Sequence, residues 1–88
     1  MTDWDYVLLK SAQKYLERMQ PDDQIRVVSA LDSLITDSNV LDVKPLQGRP
    51  EFRLRVGKYR ILFVEDSENK THVVTTMALA GIFISRGN

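Results

Sequence analysis

The chain has 88 residues, 43 % of them hydrophobic and 27 % charged, with twelve basic and twelve acidic side chains and a formal net charge of zero. That length fits one domain, 1–88, burying only about 60–65 % of its unfolded surface, and the ordinary globular composition excludes disorder and collagen-like repeats. With no cysteine and a single histidine, disulfides, thiolate zinc sites, thiol chemistry and multi-histidine metal centres are all excluded.

The opening Met1-Thr2-Asp3-Trp4-Asp5 is acidic and lacks an apolar h-region, so no signal peptide is expected. No later apolar run approaches the roughly 18 residues needed to span a bilayer. A soluble cytoplasmic protein without a membrane partner is the expectation. A short strand is predicted from Trp4 to Leu8, with Trp4 a core or partner contact. A helix capped by Ser11 or a neighbour follows, through about Met19, because Leu8, Ala12, Tyr15, Leu16 and Met19 form one apolar stripe. Gln20-Pro21-Asp22-Asp23 breaks it. Pro21 suits the first turn of a second helix, where two aspartates favour the positive end of the dipole. Ile25, Val28, Leu31 and Ile35 then recur at helical spacing, with Val27 and Leu34 beside them. The two helices should form an antiparallel hairpin. Thr36–Asn39 reads as a loop, and so does Lys44-Pro45-Leu46-Gln47-Gly48-Arg49-Pro50, with its two prolines and a glycine.

From Phe52 the period changes to two. Phe52, Leu54 and Val56 alternate with Arg53 and Arg55, and Gly57-Lys58 is a two-residue II′ turn leading into Tyr59–Val64. That turn sets Val56 opposite Tyr59, Arg55 opposite Arg60, Leu54 opposite Ile61 and Arg53 opposite Leu62. Phe52, Leu54, Val56, Tyr59, Ile61 and Phe63 then bury one face against Ile25, Val28, Leu31, Leu16 and Tyr15 of the helices. Arg53, Arg55 and Arg60 share the other face. Asp66-Ser67-Glu68-Asn69 is a turn, and Thr71–Met77 a strand with Val73, Thr75 and Met77 alternating against His72, Val74 and Thr76. Ile82-Phe83-Ile84 is a last short strand.

Charge is segregated along the chain. Residues 1–43 carry eight acids and four bases, and residues 44–88 carry eight bases and four acids. Between Lys44 and Arg60, six cations (Lys44, Arg49, Arg53, Arg55, Lys58, Arg60) meet only Glu51. Three guanidiniums on adjacent positions of one sheet face repel one another, so the arrangement points to an anion site over a merely solvated face. The rest of the catalytic inventory is thin. There is no glycine-rich phosphate loop, no Ser-His-Asp spacing and no paired metal carboxylates. His72 reads as a polar residue on an exposed or half-exposed strand face rather than a general base. Arginine keeps its proton, yet it can bind phosphate and stabilise a pentacovalent transition state. RNA supplies its own nucleophile, the 2′-hydroxyl, so neither metal nor cofactor is implied.

The run from Lys44 to Phe63, with its Lys/Pro-Leu-x-Gly loop, alternating basic strand, Gly turn and Tyr-Arg followed by apolar residues, resembles the RelE/ParE superfamily of toxins. The preceding helices, with Ala12, Lys14 and Leu16, match the family's opening. The resemblance covers nearly the whole chain. It implies an α+β fold, an N-terminal strand and two-helix hairpin packed on a twisted, mainly antiparallel sheet. It also implies the toxin half of a type II toxin–antitoxin pair, with an antitoxin protein as partner. The RelE branch cuts messenger RNA on the ribosome, which would make Arg53, Arg55 and Arg60 the catalytic positions and Lys44, Arg49, Lys58 and Arg86 RNA-binding. The ParE branch inhibits DNA gyrase, and an inactive antitoxin-binding relative is a further alternative. The family's closing Gly-x-Arg-x-x-x-Tyr is altered here. Aligned by strand length, Ala80 stands in the arginine position and Ile84 in the tyrosine position. A second alignment instead sets Ser85-Arg86-Gly87-Asn88 on the family's Arg-Gly-Asp/Asn turn. Either way the expected arginine and tyrosine are not found, and enzymatic activity is left open.

Overall fold

A computed structural model describes residues 3–80. In chain order the elements are β1 (Asp5–Leu8), α1 (Lys10–Glu17), α2 (Pro21–Thr36), a 3-10 turn (Ser38–Val40), β2 (Asp42–Pro45), β3 (Phe52–Val56), β4 (Tyr59–Asp66) and β5 (Thr71–Leu79). The strands make one sheet in the order β1-β5-β4-β3-β2, antiparallel except for β1, which runs parallel to β5. The fold is α+β, with both helices against one face of the sheet. No helix among the described residues is long and apolar enough to cross a membrane.

The hairpin turn sets the frame. Gly57 has φ +57° and Lys58 does not share it, which is the single left-handed first position of a II′ turn. The predicted register holds at every pair, from Val56↔Tyr59 to Arg53↔Leu62, and the ladder continues to Phe52↔Phe63. Leu54, Val56, Tyr59, Ile61 and Phe63 are buried and Phe52 is partly so, all in the core with the helices. Phe52 and Phe63, directly opposite, stack at 5.4 Å between centroids, a pair of the kind worth about 0.5–1.5 kcal/mol beyond its buried area.

The second helix is rotated from its expected setting. Val27, Ala30, Leu31 and Leu34 are buried, while Ile25 is 69 % exposed and Val28 38 %. Its sequence carries two overlapping stripes at helical spacing, and the one that includes small Ala30 faces the sheet. Two hydrogen bonds fix the rotation. The Tyr59 hydroxyl donates to Asp23 Oδ2 (2.9 Å) and the Tyr6 hydroxyl to Asp32 Oδ1 (3.0 Å). Ionising either phenol would place two anions side by side, so both are raised above the ordinary phenol value. For Tyr59 the Asp23 hydrogen bond is the larger cause, and for Tyr6 it is burial.

Other local expectations are corrected. Ser11 does not cap α1: Leu9 is the N-cap residue, and the Ser11 hydroxyl, inside the helix, donates to the Thr75 carbonyl at 3.2 Å. Thr36 closes α2 and the 3-10 turn follows, so Thr36–Asn39 is not plain loop. Lys44 and Pro45 belong to strand β2, not to a loop. Proline is tolerated there because β2 is an edge strand and one side of its backbone needs no partner. In β5 strict alternation fails. Leu62 opposes Thr76 and Phe63 opposes Val74, leaving Thr75 as the extra residue of a bulge. The bulge changes parity, so His72 and Val74 join Met77 on the helix side. His72, expected on an exposed or half-exposed face, is 7 % exposed between the rings of Trp4 (4.8 Å) and Phe63 (5.4 Å). The segment Ile82-Phe83-Ile84 lies outside the described residues.

Two measurements check this packing. Leu54→Ala should cost about 2–5 kcal/mol in urea unfolding, whereas Ile25→Ala should cost less than about 0.5 kcal/mol. The reverse order would mean that α2 is rotated differently. Burial lowers the His72 pKa below its ordinary 6.5, with Glu65 only partly opposing. The unfolded chain therefore binds the extra proton first, and stability falls as pH drops through about 6.5 and below. Thermal melts between pH 7.5 and 5 should show this decline, and His72→Phe should flatten it.

Candidate nucleic-acid interface

The hairpin register carries the basic residues to the sheet face turned away from the helices. Arg55 lies directly opposite Arg60, and Arg53 lies opposite Lys44 of the edge strand. Arg55 is exposed and Arg60 half-buried. Four cations thus share adjoining positions on strands β2, β3 and β4. Among the described residues, Asp42 pairs in register with Arg55 and accepts a hydrogen bond from Arg53 Nη2 at 2.9 Å. Asp42 remains 53 % exposed at its side chain, while that of Arg53 is 13 % exposed. Arg53 Nε is buried and makes no hydrogen bond among the described residues. Asp42 escaped the sequence reading because it opens a strand disguised by Pro45.

The remaining predicted cations do not all converge. Arg49 sits in the β2–β3 loop and is held by Glu51 through two parallel hydrogen bonds of 3.0 and 3.1 Å, so its charge is already matched. Lys58 is at the Gly57 turn, 67 % exposed at its side chain, 3.9 Å from Asp23 and 5.7 Å from the Tyr59 ring centre. Ala80 follows β5; its N–H donates to the Lys58 carbonyl (2.9 Å), and it is 4 % exposed. It is therefore a small residue packed beside the turn. Ile84 and Arg86 lie outside the described residues.

Chemically, the described residues of this face offer mainly fixed positive charge. All three tyrosines belong to the helix side: Tyr6 and Tyr59 bond to aspartates of α2, and Tyr15 meets Tyr59 edge-on at 6.3 Å. His72 is on that side too. Among the described residues, then, the cationic face has no imidazole or phenol to move a proton. No group of three or more His, Asp or Glu side chains is placed among them to hold a metal. Guanidinium forks suit phosphate oxygens, which they can bind in bidentate fashion.

No family model and no curated protein matches the chain. Solved structures do resemble it. The RelBE2 toxin–antitoxin complex of Mycobacterium tuberculosis contains a chain 23 % identical, with a TM-score of 0.75 over 90 % of this chain and 93 % of that one. The archaeal RelE–RelB complex of Pyrococcus horikoshii gives 22 % identity and a TM-score of 0.75 over 92 % and 98 %. The intact RelBE complex of Escherichia coli gives 13 % and 0.73 over 88 % and 96 %. Agreement over nearly the full length of each chain, at identities this low, is agreement of architecture: the chain has the RelE-like fold.

Proposed function

We propose that this chain is the toxin of a type II toxin–antitoxin pair, and that its cationic sheet face binds messenger RNA on the ribosome and cleaves it slowly. The observation that carries the reading is the cross-strand pair Arg55–Arg60, flanked by Arg53 and Lys44, on the face not used by the helices. Like charges held opposite one another destabilise a sheet, and a polyanion laid across them relieves that cost. The RelE-like fold supports the same conclusion, since those neighbours were solved as toxin–antitoxin complexes.

In this reading Arg53, Arg55 and Arg60 hold the scissile phosphate, and the 2′-hydroxyl of the RNA attacks it, losing its proton to water; the P–O5′ bond breaks, the departing 5′-oxygen takes a proton from water, and a 2′,3′-cyclic phosphate is left. The arginines stabilise the extra negative charge of the pentacovalent state. Lys44 and Lys58 guide the flanking backbone. Cleavage is slow because one missing preorganised donor typically costs about 100- to 1000-fold. A small buried Ala80 in place of an arginine fits such a loss. The antitoxin would cover apolar surface left bare on the helix side, where Ile25, Val28 and Val40 are exposed. Production together with a neighbouring open reading frame should yield a stable complex.

The binding step can be measured apart from cleavage. For single-stranded RNA the logarithm of affinity should fall with the logarithm of salt, with a slope of about 0.7 per phosphate neutralised. Arg55→Ala should reduce that slope by about 0.7, and Asp42→Ala should increase it by a similar amount by freeing Arg53. Unchanged slopes in both variants would place the RNA elsewhere.

Primer extension on ribosome-bound message, set beside a gyrase supercoiling assay, tests the activity. We expect weak cuts within the message, abolished in the double variant Arg55→Ala/Arg60→Ala, and no effect on supercoiling. Inhibited supercoiling with intact message would support the gyrase alternative. Neither effect, with antitoxin binding retained, would support an inactive relative.

A further inference from the structure

The cationic patch occupies only part of the sheet face turned away from the helices. In β4 alternate side chains share that face, so Arg60, Leu62, Val64 and Asp66 follow one another along it. Cross-strand partners widen these positions into rows. Arg55 lies beside Arg60 at the Gly57 end. Val73 and Val7 continue the row of Val64, three valines in register across β4, β5 and β1. Val7 is 47 % exposed, and the other two are half-buried. The last row sets Asp66 and Asp5 on either side of Thr71. Asn69 donates to Asp66 from its side chain (2.8 Å) and its backbone (3.2 Å), which lowers the Asp66 pKa and keeps the group charged. Lys70, near the same end, is drawn to Asp3 at 3.4 Å. Along its strands the face is thus positive, then apolar, then negative.

We propose that this face binds a second copy of the chain, the two sheets packed face to face about a two-fold axis. The axis lies in the interface and crosses the strands midway between the rows of Leu62 and Val64. It exchanges the two ends. Arg60 and its neighbour Arg55 meet the partner's Asp66, Leu62 meets the partner's Val64, and each contact occurs twice, as isologous symmetry requires. The opposite setting, with like ends together, would stack cations on cations. Twisted sheets commonly pack with their strands about 30° from alignment, within reach of a long arginine side chain. A formal net charge of zero adds no long-range repulsion between copies. Five strands span about 24 Å and the rows of Arg60 and Asp66 stand about 20 Å apart, so each copy contributes roughly 500 Å². That is less than the about 800 Å² per partner of a standard stable complex, and the dimer is accordingly weak and concentration-dependent. It stands whether or not the chain is a toxin, and it covers the arginines that RNA would use.

Sedimentation equilibrium of the full chain, without RNA, tests the proposal between about 10 µM and 1 mM. We expect a dimer with a dissociation constant of about 0.1–1 mM, weakened about tenfold between about 50 and 500 mM salt. Arg55→Glu should weaken it about fivefold and Asp66→Lys about tenfold, because each sets like charges opposite one another. Mixed in equal amounts, the two variants should associate more tightly than either does alone, since Glu at 55 then faces Lys at 66. Ile25→Glu, on the exposed side of α2, should leave association unchanged. If thermal melts show that Asp66→Lys does not fold, the salt dependence and Arg55→Glu decide. A monomer throughout would overturn the proposal. So would association indifferent to salt, a mixture of folded variants no tighter than its components, or loss of the dimer in Ile25→Glu, which would place the contact on the helix side.

Discussion

A two-residue turn governs both faces of this protein. Side chains alternate across a strand, so a slip of one residue between β3 and β4 would carry Leu54, Ile61 and Phe63 into solvent and turn Arg53, Arg55 and Arg60 into the core. Gly57, at φ +57°, removes that freedom, because its single left-handed residue matches the twist of the flanking strands. Burial of the apolar set reinforces the choice. Each large side chain taken fully from water contributes about 1.5–3 kcal/mol, and several on one hairpin face outweigh the repulsion of the guanidiniums on the other.

The helices complete the division of labour. Hydrogen bonds from Tyr59 to Asp23 and from Tyr6 to Asp32 tie α2 to the sheet near both ends of its buried stripe. They occupy the hydroxyls of Tyr6 and Tyr59 on the helix side. Asp42 is a counter-charge on the cationic face, and its exposure means that water screens the bond it makes to Arg53. Positive charge therefore concentrates on a surface that no helix among the described residues covers.

Such a surface separates two tasks that RNA cleavage combines. Holding a phosphate needs cations in register, which the hairpin supplies. Accelerating cleavage needs charge placed where it develops in the transition state, together with a path for protons. The described part of the cationic face has the first without an imidazole or phenol for the second. Under the proposed function, RNA binding stronger than cleavage is the expected consequence of that imbalance, and both halves can be measured separately.

Local chemistry in the sequence determined the hairpin, its register and the gathering of Arg53, Arg55 and Arg60, because a glycine-led turn between alternating strands leaves one pairing that buries the apolar set. It also determined the helix hairpin, through Pro21 and the acidic first turn. Tertiary structure decided the rest. Two apolar stripes on α2 are equivalent in periodicity, and only the sheet and the Tyr–Asp bonds select the one containing Val27 and Leu31. The bulge at Thr75 leaves no local sign, yet by changing parity it moves His72 from the expected open face into the core. Strand β2 was hidden by a proline that only an edge position tolerates, and with it went Asp42, the partner of Arg53. These features depend on which strands neighbour one another, a long-range property that no local period encodes.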